Sequence, residues 1–592
     1  MLVSPVFVRE LVTAPRRPKH FVARATYVSA LLMLTGTAWL VLAGSQTIRN
    51  IGDLARFGTI LFQILAPLQL TLAVFFAALF TASSVAQEKD RRTLILLLMT
   101  DLSNFEVVVG KLMASMLNVL VLLLSALPLF MALVLLGGVE PGQVLAVYGI
   151  TILGVLAAGS LGSTLALWRE KTFQTLALTV LVLTAWIAVW EVVGRLGTDH
   201  EVVGLTAADW AVASSPWRAV LSAARPTTSA SHLLPGGIPP AWLFVPIAVA
   251  MTVLLNAVAV WKVRVWNPSR EVRRKQQATD EETAGTAERK TAASAAVSVA
   301  AAARPARPHR QVWDYPVLWR EVRTWAYGRK TLAIRLGYLC LAGVALAAAG
   351  GFGPLVQANH TIVALPLFLL SLFLVNAQAV TSVSTERDAK TLDLLLVTDL
   401  SPREFVFGKL GGVFYNTKEM VVLPVLYCLV LWWRGELLGE NVFYLVFGLL
   451  VMNFFVGVLG IHCGLVHPNS RVAVATSMGT VFFLFVGIAT CMRIMVAFSG
   501  SFGYQLAPFL AFMLGGGVAL YVSLGARNAS TAIFWAAFTC PFLTFWAITS
   551  FLQEYTLGPF LVASATYVFT TLTMLIPAIS EFDVASGRAT EG

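Results

Sequence analysis

Runs of about 20 apolar residues recur along the whole chain, and a run of that length has one common solution, a helix that crosses a lipid bilayer. The first begins near Arg24 and ends at Gly44, and others lie near 58–86, 113–136, 144–167, 173–194 and 241–262. After a polar interval they resume near 331–353, 361–384, 413–432, 442–466, 472–495 and 557–580. Two more candidates, near 505–523 and 531–551, bring the total to between twelve and fourteen. Gly515, Gly516 and Gly517 interrupt the first of these, so the pair reads either as two full crossings or as a re-entrant hairpin. The first run is too long and too far from the start for a cleaved signal peptide. Of the 592 residues 57% are hydrophobic and 12% charged, against about 25% charged in a soluble domain. A water-soluble globule is excluded, and the expected fold is an all-α integral membrane protein.

Charge sets the orientation. Most of the 42 Lys and Arg fall before the first span, in 87–112, in 262–330 and in 385–412, and few fall in the alternate loops. By the positive-inside rule these segments are cytoplasmic, which places both termini inside a plasma (inner) membrane. The net charge of +11 then reflects membrane-side bias and not a nucleic-acid surface. The five cysteines fall in apolar runs without paired spacing and read as small core residues, with neither disulfide nor zinc chemistry. The expected organisation is a first unit over 1–262, a disordered cytoplasmic linker over 263–312, a second unit over 313–580 and a cytoplasmic tail over 581–592. The linker expectation rests on its basic opening, acidic middle and Ala/Pro/Arg-rich end.

The chain also repeats itself. Residues 88–112 read EKDRRTLILLLMTDLSNFEVVVGKL and residues 386–410 read ERDAKTLDLLLVTDLSPREFVFGKL, with sixteen of twenty-five positions identical and no gap. Pro5, Arg9, Glu10, Thr13 and Lys19 recur as Pro316, Arg320, Glu321, Thr324 and Lys330. The reading is two tandem six-span helical halves, the second with six to eight spans, each starting and ending inside and hence related by a parallel repeat.

The repeated segment cannot lie in hydrocarbon, because its first copy carries eight charges and each costs about 2.5–3.5 kcal/mol near the bilayer centre. It belongs at the cytoplasmic surface. Ser103 with Glu106, and Ser401 with Glu404, have the spacing of capping boxes, the second with Pro402 at the first helical position. Ahead of each cap, Leu94, Leu97 and Leu98, and Leu392, Leu395 and Leu396, fall at i, i+3 and i+4 as one stripe of a short helix. Resting on the lipid interface would explain the stripe, but not the matching of the turn, the caps and the Gly-Lys-Leu exits. Docking to a protein partner explains both.

The pattern of acidic and basic residues, Thr-Leu, a leucine run, Thr-Asp-Leu-Ser, an acidic residue and Gly-Lys-Leu between the second and third spans resembles the type-2 permeases of ATP-binding-cassette (ABC) exporters. The resemblance implies that Glu88, Arg91, Thr93, Leu94, Leu97, Leu98 and Asp101 belong to a coupling helix that seats in a cytoplasmic ABC ATPase dimer. It implies the same of Glu386, Lys390, Thr391, Leu392, Leu395, Leu396 and Asp399. It also implies amphipathic connecting helices ahead of spans one and seven, outward transport, and ATP consumed by the partner and not by this chain. Two fused units depart from the usual single six-span member.

No Gly-rich phosphate loop, His-Glu-x-x-His or Gly-x-Ser-x-Gly occurs, so no catalytic residue, resident cofactor or metal ligand is expected. His462, Cys463 and His467 read as packing. Among charges in or at the ends of spans, Lys418, Glu419 and Arg493 read as interface anchors, and Glu191 is the candidate for the substrate path. The rival readings are a secondary carrier of the major-facilitator type and a non-transporting membrane scaffold or assembly factor. Apolar spans do not select among lipid, polysaccharide, peptide, drug or a component needed for metallocentre assembly as the substrate.

Overall fold

The structure is a computed structural model and describes residues 5–13, 18–45, 50–194, 205–225, 240–267, 313–323, 332–351, 360–392, 400–497, 502–525, 530–552, 555–580 and 582. The expected linker lies almost wholly outside these residues, as does all of the expected tail except 582. Described residues other than short connections are helical. Water is absent from hydrocarbon, so each crossing must satisfy its own backbone, and the helix does this internally.

In the first half of the chain, α1 (Pro5–Thr13) is a short helix packed on α5 (Asn104–Leu135). Between them come α2 (Pro18–Ser45), the 40-residue α3 (Ile51–Asp90) and the six-residue α4 (Thr93–Leu98). Next are α6 (Pro141–Trp168), α7 (Thr172–Val193), the short pair α8 (Ala207–Ser214) and α9 (Pro216–Ala224), and α10 (Phe244–Trp266). The second half begins with α11 (Pro316–Arg323), α12 (Leu332–Ala349) and α13 (His360–Asp388). Its third span is a broken pair, α14 (Pro402–Asn416) and α15 (Lys418–Trp433), bent by 56°. Then follow α16 (Gly439–Val466), α17 (Ser470–Phe482), a π-helical turn (Phe483–Gly487) and α18 (Ile488–Ala497). The chain ends with α19 (Phe502–Leu524), α20 (Thr531–Leu552) and α21 (Leu557–Ser580). Among the described residues twelve helices are long and apolar enough to cross a membrane, or thirteen with the bent pair as one.

Helix boundaries coincide at the constant spacing that relates the two copies of the repeated segment. The starts at Asn104, Pro141 and Thr172 correspond to those at Pro402, Gly439 and Ser470, and the ends at Asp90 and Trp168 to those at Asp388 and Val466. Packing follows the same scheme: α3 lies along α6 as α13 lies along α16. Both crossings are close because a glycine faces the neighbouring backbone. A Cβ on Gly162 would lie 2.5 Å from the Ala78 carbonyl oxygen, and one on Gly460 would lie 2.6 Å from the Ala379 Cβ.

The two halves of the chain meet reciprocally, α7 against α12 and α13, and α3 against α17 and α18. Phe75 and Phe76 of α3 fill this seam with Phe373 and Phe482, the Phe75 ring lying 5.2 Å from Phe373 and 5.7 Å from Phe482.

Two expectations are refined and one is corrected. The short pair α8 and α9 has as its counterpart two longer helices, α19 and α20, of 23 and 22 residues. At 1.5 Å per residue α20, one of the twelve, spans about 33 Å, enough for the hydrocarbon core, while α19 contains the shorter apolar helix Met513–Leu524. The third span of the second half breaks at Thr417, where the freed Asn416 carbonyl accepts from Arg335 (3.2 Å) and the Met420 carbonyl from Tyr338 (3.0 Å). Cys428, Cys463, Cys491 and Cys540 are buried, but Cys340 is exposed; an apolar face that turns to lipid hides a small residue no better than a surface does.

Gly460→Val should lower the stability of the detergent-solubilised chain by about 1–3 kcal/mol through overpacking, read as a lower melting temperature. Gly448→Val, where nothing lies within 4 Å of the added Cβ, should stay within about 0.5 kcal/mol of wild type.

Candidate functional site

The first copy of the repeated segment, and the described parts of the second (386–392 and 400–410), form a compact hinge at one end of the bundle. At the close of α3 the chain reverses through Arg92, whose φ of 60° lies in the left-handed region, and the equivalent Lys390 has φ 57°. Among the described residues these are the two non-glycine positions with positive φ, a conformation that a side chain disfavours. Each reversal is tied by the same bond: Thr93 Oγ1 donates to the Glu88 carbonyl (3.3 Å) and Thr391 Oγ1 to the Glu386 carbonyl (3.1 Å).

The leucine stripe is the inner face of α4. Leu94 and Leu98 are buried against Val85, Val107, Val108, Leu167 and Val263, and Leu97 packs beside them. Leu392 is buried likewise, whereas Leu395, Leu396 and Asp399 lie outside the described residues. The apolar groups that face outward are instead Leu96 (65% exposed), Met99 (72%) and Phe105 (49%), flanked by exposed Arg92, Thr93 and Asp101. The i, i+3, i+4 pattern identifies a helix with one apolar face, but it does not say whether that face meets the chain itself or a partner.

After the turn the caps form. Ser103 Oγ accepts from the Glu106 amide (3.3 Å) and Glu106 Oε2 from the Ser103 amide (2.9 Å). Ser401 and Glu404 repeat both distances. Arg264 Nε at the end of α10 donates to Asn104 Oδ1 (2.7 Å), bracing the first turn against the last helix of its half.

Below the caps lie buried charges that spacing alone does not reveal. Lys111 of the first Gly-Lys-Leu exit pairs with Glu88. Lys409 of the second exit, 1% exposed, sits 2.7 Å from both Glu321 and Glu386 and donates to the Ser382 carbonyl (3.0 Å). Arg320 joins both carboxylates, so α11, α13 and α14 are held at one point. Burial pushes the Glu321 carboxyl up, but Lys409 and Arg320 outweigh it and hold its pKa below the ordinary 4.5. Glu88 and Glu386 are therefore internal partners of lysines.

The neighbouring charges cap the next helix pair. Lys89 Nζ donates to the carbonyls of Leu167 (2.5 Å) and Arg169 (2.9 Å), and Arg387 donates to those of Leu465 (2.5 Å) and His467. Asp90 accepts from Thr172 and Asp388 from Ser470. Arg91 breaks the pattern by reaching across the seam to Asp388 (2.9 Å) and Asn469 (2.8 Å), where Gln87 also approaches Asp388 (3.4 Å).

Glu191 lies elsewhere, at the far end of α7. It holds Arg218 of α9 through two 2.9 Å bonds and so ties two helices together. His462 bonds the Leu524 carbonyl (2.9 Å), and among the described residues no group of three or more His, Cys, Asp and Glu could hold a metal ion. A buried polar group that sequence reasoning missed is Gln378 of α13, fully buried with neither amide atom partnered.

Lys409→Met would leave two carboxylates buried without their cation and should cost about 3–5 kcal/mol; adding Glu321→Leu and Glu386→Leu should restore most of that. Because the Glu321 pKa is lowered on folding, its contribution is fully present above about pH 4.5 and is lost as pH falls through the folded value. Melting measured from neutral pH downward should show this acid loss in the wild type and not in the triple variant.

Residues 47–190, which include α3, the first hinge and α5 to most of α7, match the family model described as ABC-2 family transporter protein. No curated protein and no solved structure matches the chain. The chain is an all-helical, multi-span membrane protein that over residues 47–190 is similar to the ABC-2 family transporter proteins.

Proposed function

We propose that the chain is the transmembrane permease of an ABC exporter, two permease halves fused in tandem and driven by a separate cytoplasmic ATPase dimer. The observation that carries this reading is the duplicated hinge: at one constant spacing, Lys111 and Lys409, Lys89 and Arg387, and Asp90 and Asp388 make corresponding bonds. Two corresponding sets of bonds, with an outward apolar edge of Leu96, Met99 and Phe105 at the first of them, suit a dimeric motor better than a passive contact with lipid. The family match over the first half supports the same reading.

On this reading both hinges and both termini lie in the cytoplasm, in keeping with the Lys and Arg bias, and the membrane is the plasma membrane. The ATPase grips the edge that carries Leu96, Met99 and Phe105, while Leu94 and Leu98 fasten that edge to the protein. Closure of the motor then pushes the hinges, and the buried Lys–Glu joints and the serine caps carry the push into α5 and α14. Arg91 and Asp388 hold the cytoplasmic ends of the halves together in the state seen here, and separation of the halves breaks that bridge. Substrate crosses between the halves, along the seam now filled by Phe75, Phe76, Phe373 and Phe482.

Leu96→Asp with Met99→Asp should leave membrane insertion and melting unchanged, because both side chains are exposed, and should abolish co-purification of the ATPase along with transport in vesicles. Undiminished recovery of the ATPase with this double variant would overturn the assignment.

A further inference from the structure

The break between α14 and α15 lies beside an open groove of about 410 Å³, a volume typical of small-ligand sites. Its walls are Phe414 of α14, Leu450, Val451 and Phe454 of α16, and Val568 and Leu572 of α21. The Phe414 and Phe454 rings stack 6.2 Å apart at 7°. Thr571, the one hydroxyl on the lining, donates to the Tyr567 carbonyl and offers no free donor. Leu450, Phe454, Val568 and Leu572 are exposed, and in a chain that crosses a bilayer the neighbour of such a surface is hydrocarbon.

Four residues beyond Phe414, across the break, stands Lys418. It is exposed, its ammonium lies 4.6 Å over the equally exposed Tyr415 ring, and among the described residues no carboxylate is paired with it. Its neighbour Glu419 is paired with Arg335 (3.5 Å), so the two cancel and leave the Lys418 charge uncompensated. At the corresponding place in the first half the unbroken α5 carries Leu120 and Val121. The depth of the break follows from α11, whose Val317 and Glu321 lie against Gly408 and Gly412. If α11 lies along the proposed cytoplasmic surface, Asn416 falls one turn further in, at the level where tyrosine and lysine meet lipid headgroups.

We propose that this groove binds one anionic phospholipid of the cytoplasmic leaflet, with an acyl chain between α14, α16 and α21 and its phosphate on Lys418. The groove alone would accept any acyl chain, and the lysine adds preference for a negative headgroup. The helix break is what brings the two together, because it opens the side of the bundle beside a polar turn.

Native mass spectrometry of the detergent-solubilised full chain, titrated with dioleoyl phosphatidylglycerol, tests this against dioleoyl phosphatidylcholine and against inorganic phosphate as competitor. One phosphatidylglycerol should be retained in preference to phosphatidylcholine. Lys418→Gln should weaken phosphatidylglycerol about five-fold, the value of one basic residue near a membrane surface, and leave phosphatidylcholine unchanged. Val451→Trp, which fills the groove, should weaken both lipids, and Lys171→Gln, an exposed lysine elsewhere, should weaken neither. Unchanged phosphatidylglycerol binding in Lys418→Gln or in Val451→Trp would overturn the proposal. So would an equal loss in Lys171→Gln, or full displacement of the lipid by inorganic phosphate.

Discussion

A lysine buried beside a glutamate near the start of the third long helix is the interaction on which the hinge end of the structure depends. Lys409 is 1% exposed and reaches two carboxylates and a carbonyl. Burial of a lone ammonium would cost several kcal/mol, and the cluster is tolerable only because each charge is met. That requirement is geometric. Glu321 comes from α11, Glu386 from the end of α13 and Lys409 from α14, so none of the three helices can shift without stranding a charge. Lys111 and Glu88 make the corresponding joint between α5 and α3. The two joints therefore fix the ends of these helices relative to one another.

Much of the architecture was legible in the sequence because hydrocarbon imposes a coarse and strict rule. An apolar run either reaches the thickness of the bilayer or does not, and all the expected spans coincide with helices. The turn at Ser103 and Ser401 was legible for a different reason: a serine followed three residues later by glutamate is a local device whose geometry hardly depends on the rest of the fold.

What was not legible depends on neighbours distant in the chain. Leu94 and Leu98 were identifiable as one face of a helix, but their burial depends on Leu167 and Val263, which lie far along the sequence. Glu191 looked costly in a span until Arg218 of a separate helix was found against it. The left-handed Arg92 carried no glycine or asparagine to announce it. The break at Thr417 has its proline seven residues on, at Pro424, which leaves the Met420 carbonyl free; the polar residues between them read equally well as interface anchors. Long-range partnership is where reasoning by spacing stops.

The bridge from Arg91 to Asp388 has no mirror image, because alanine occupies position 389, where the counterpart of Arg91 would stand. An assembly of two identical subunits would have to form such a contact twice or not at all. The two copies of the repeated segment lie on one polypeptide, which removes that obligation and leaves each free to drift. Among the described residues the contact between the two hinges is thus handed, clasped on one flank only.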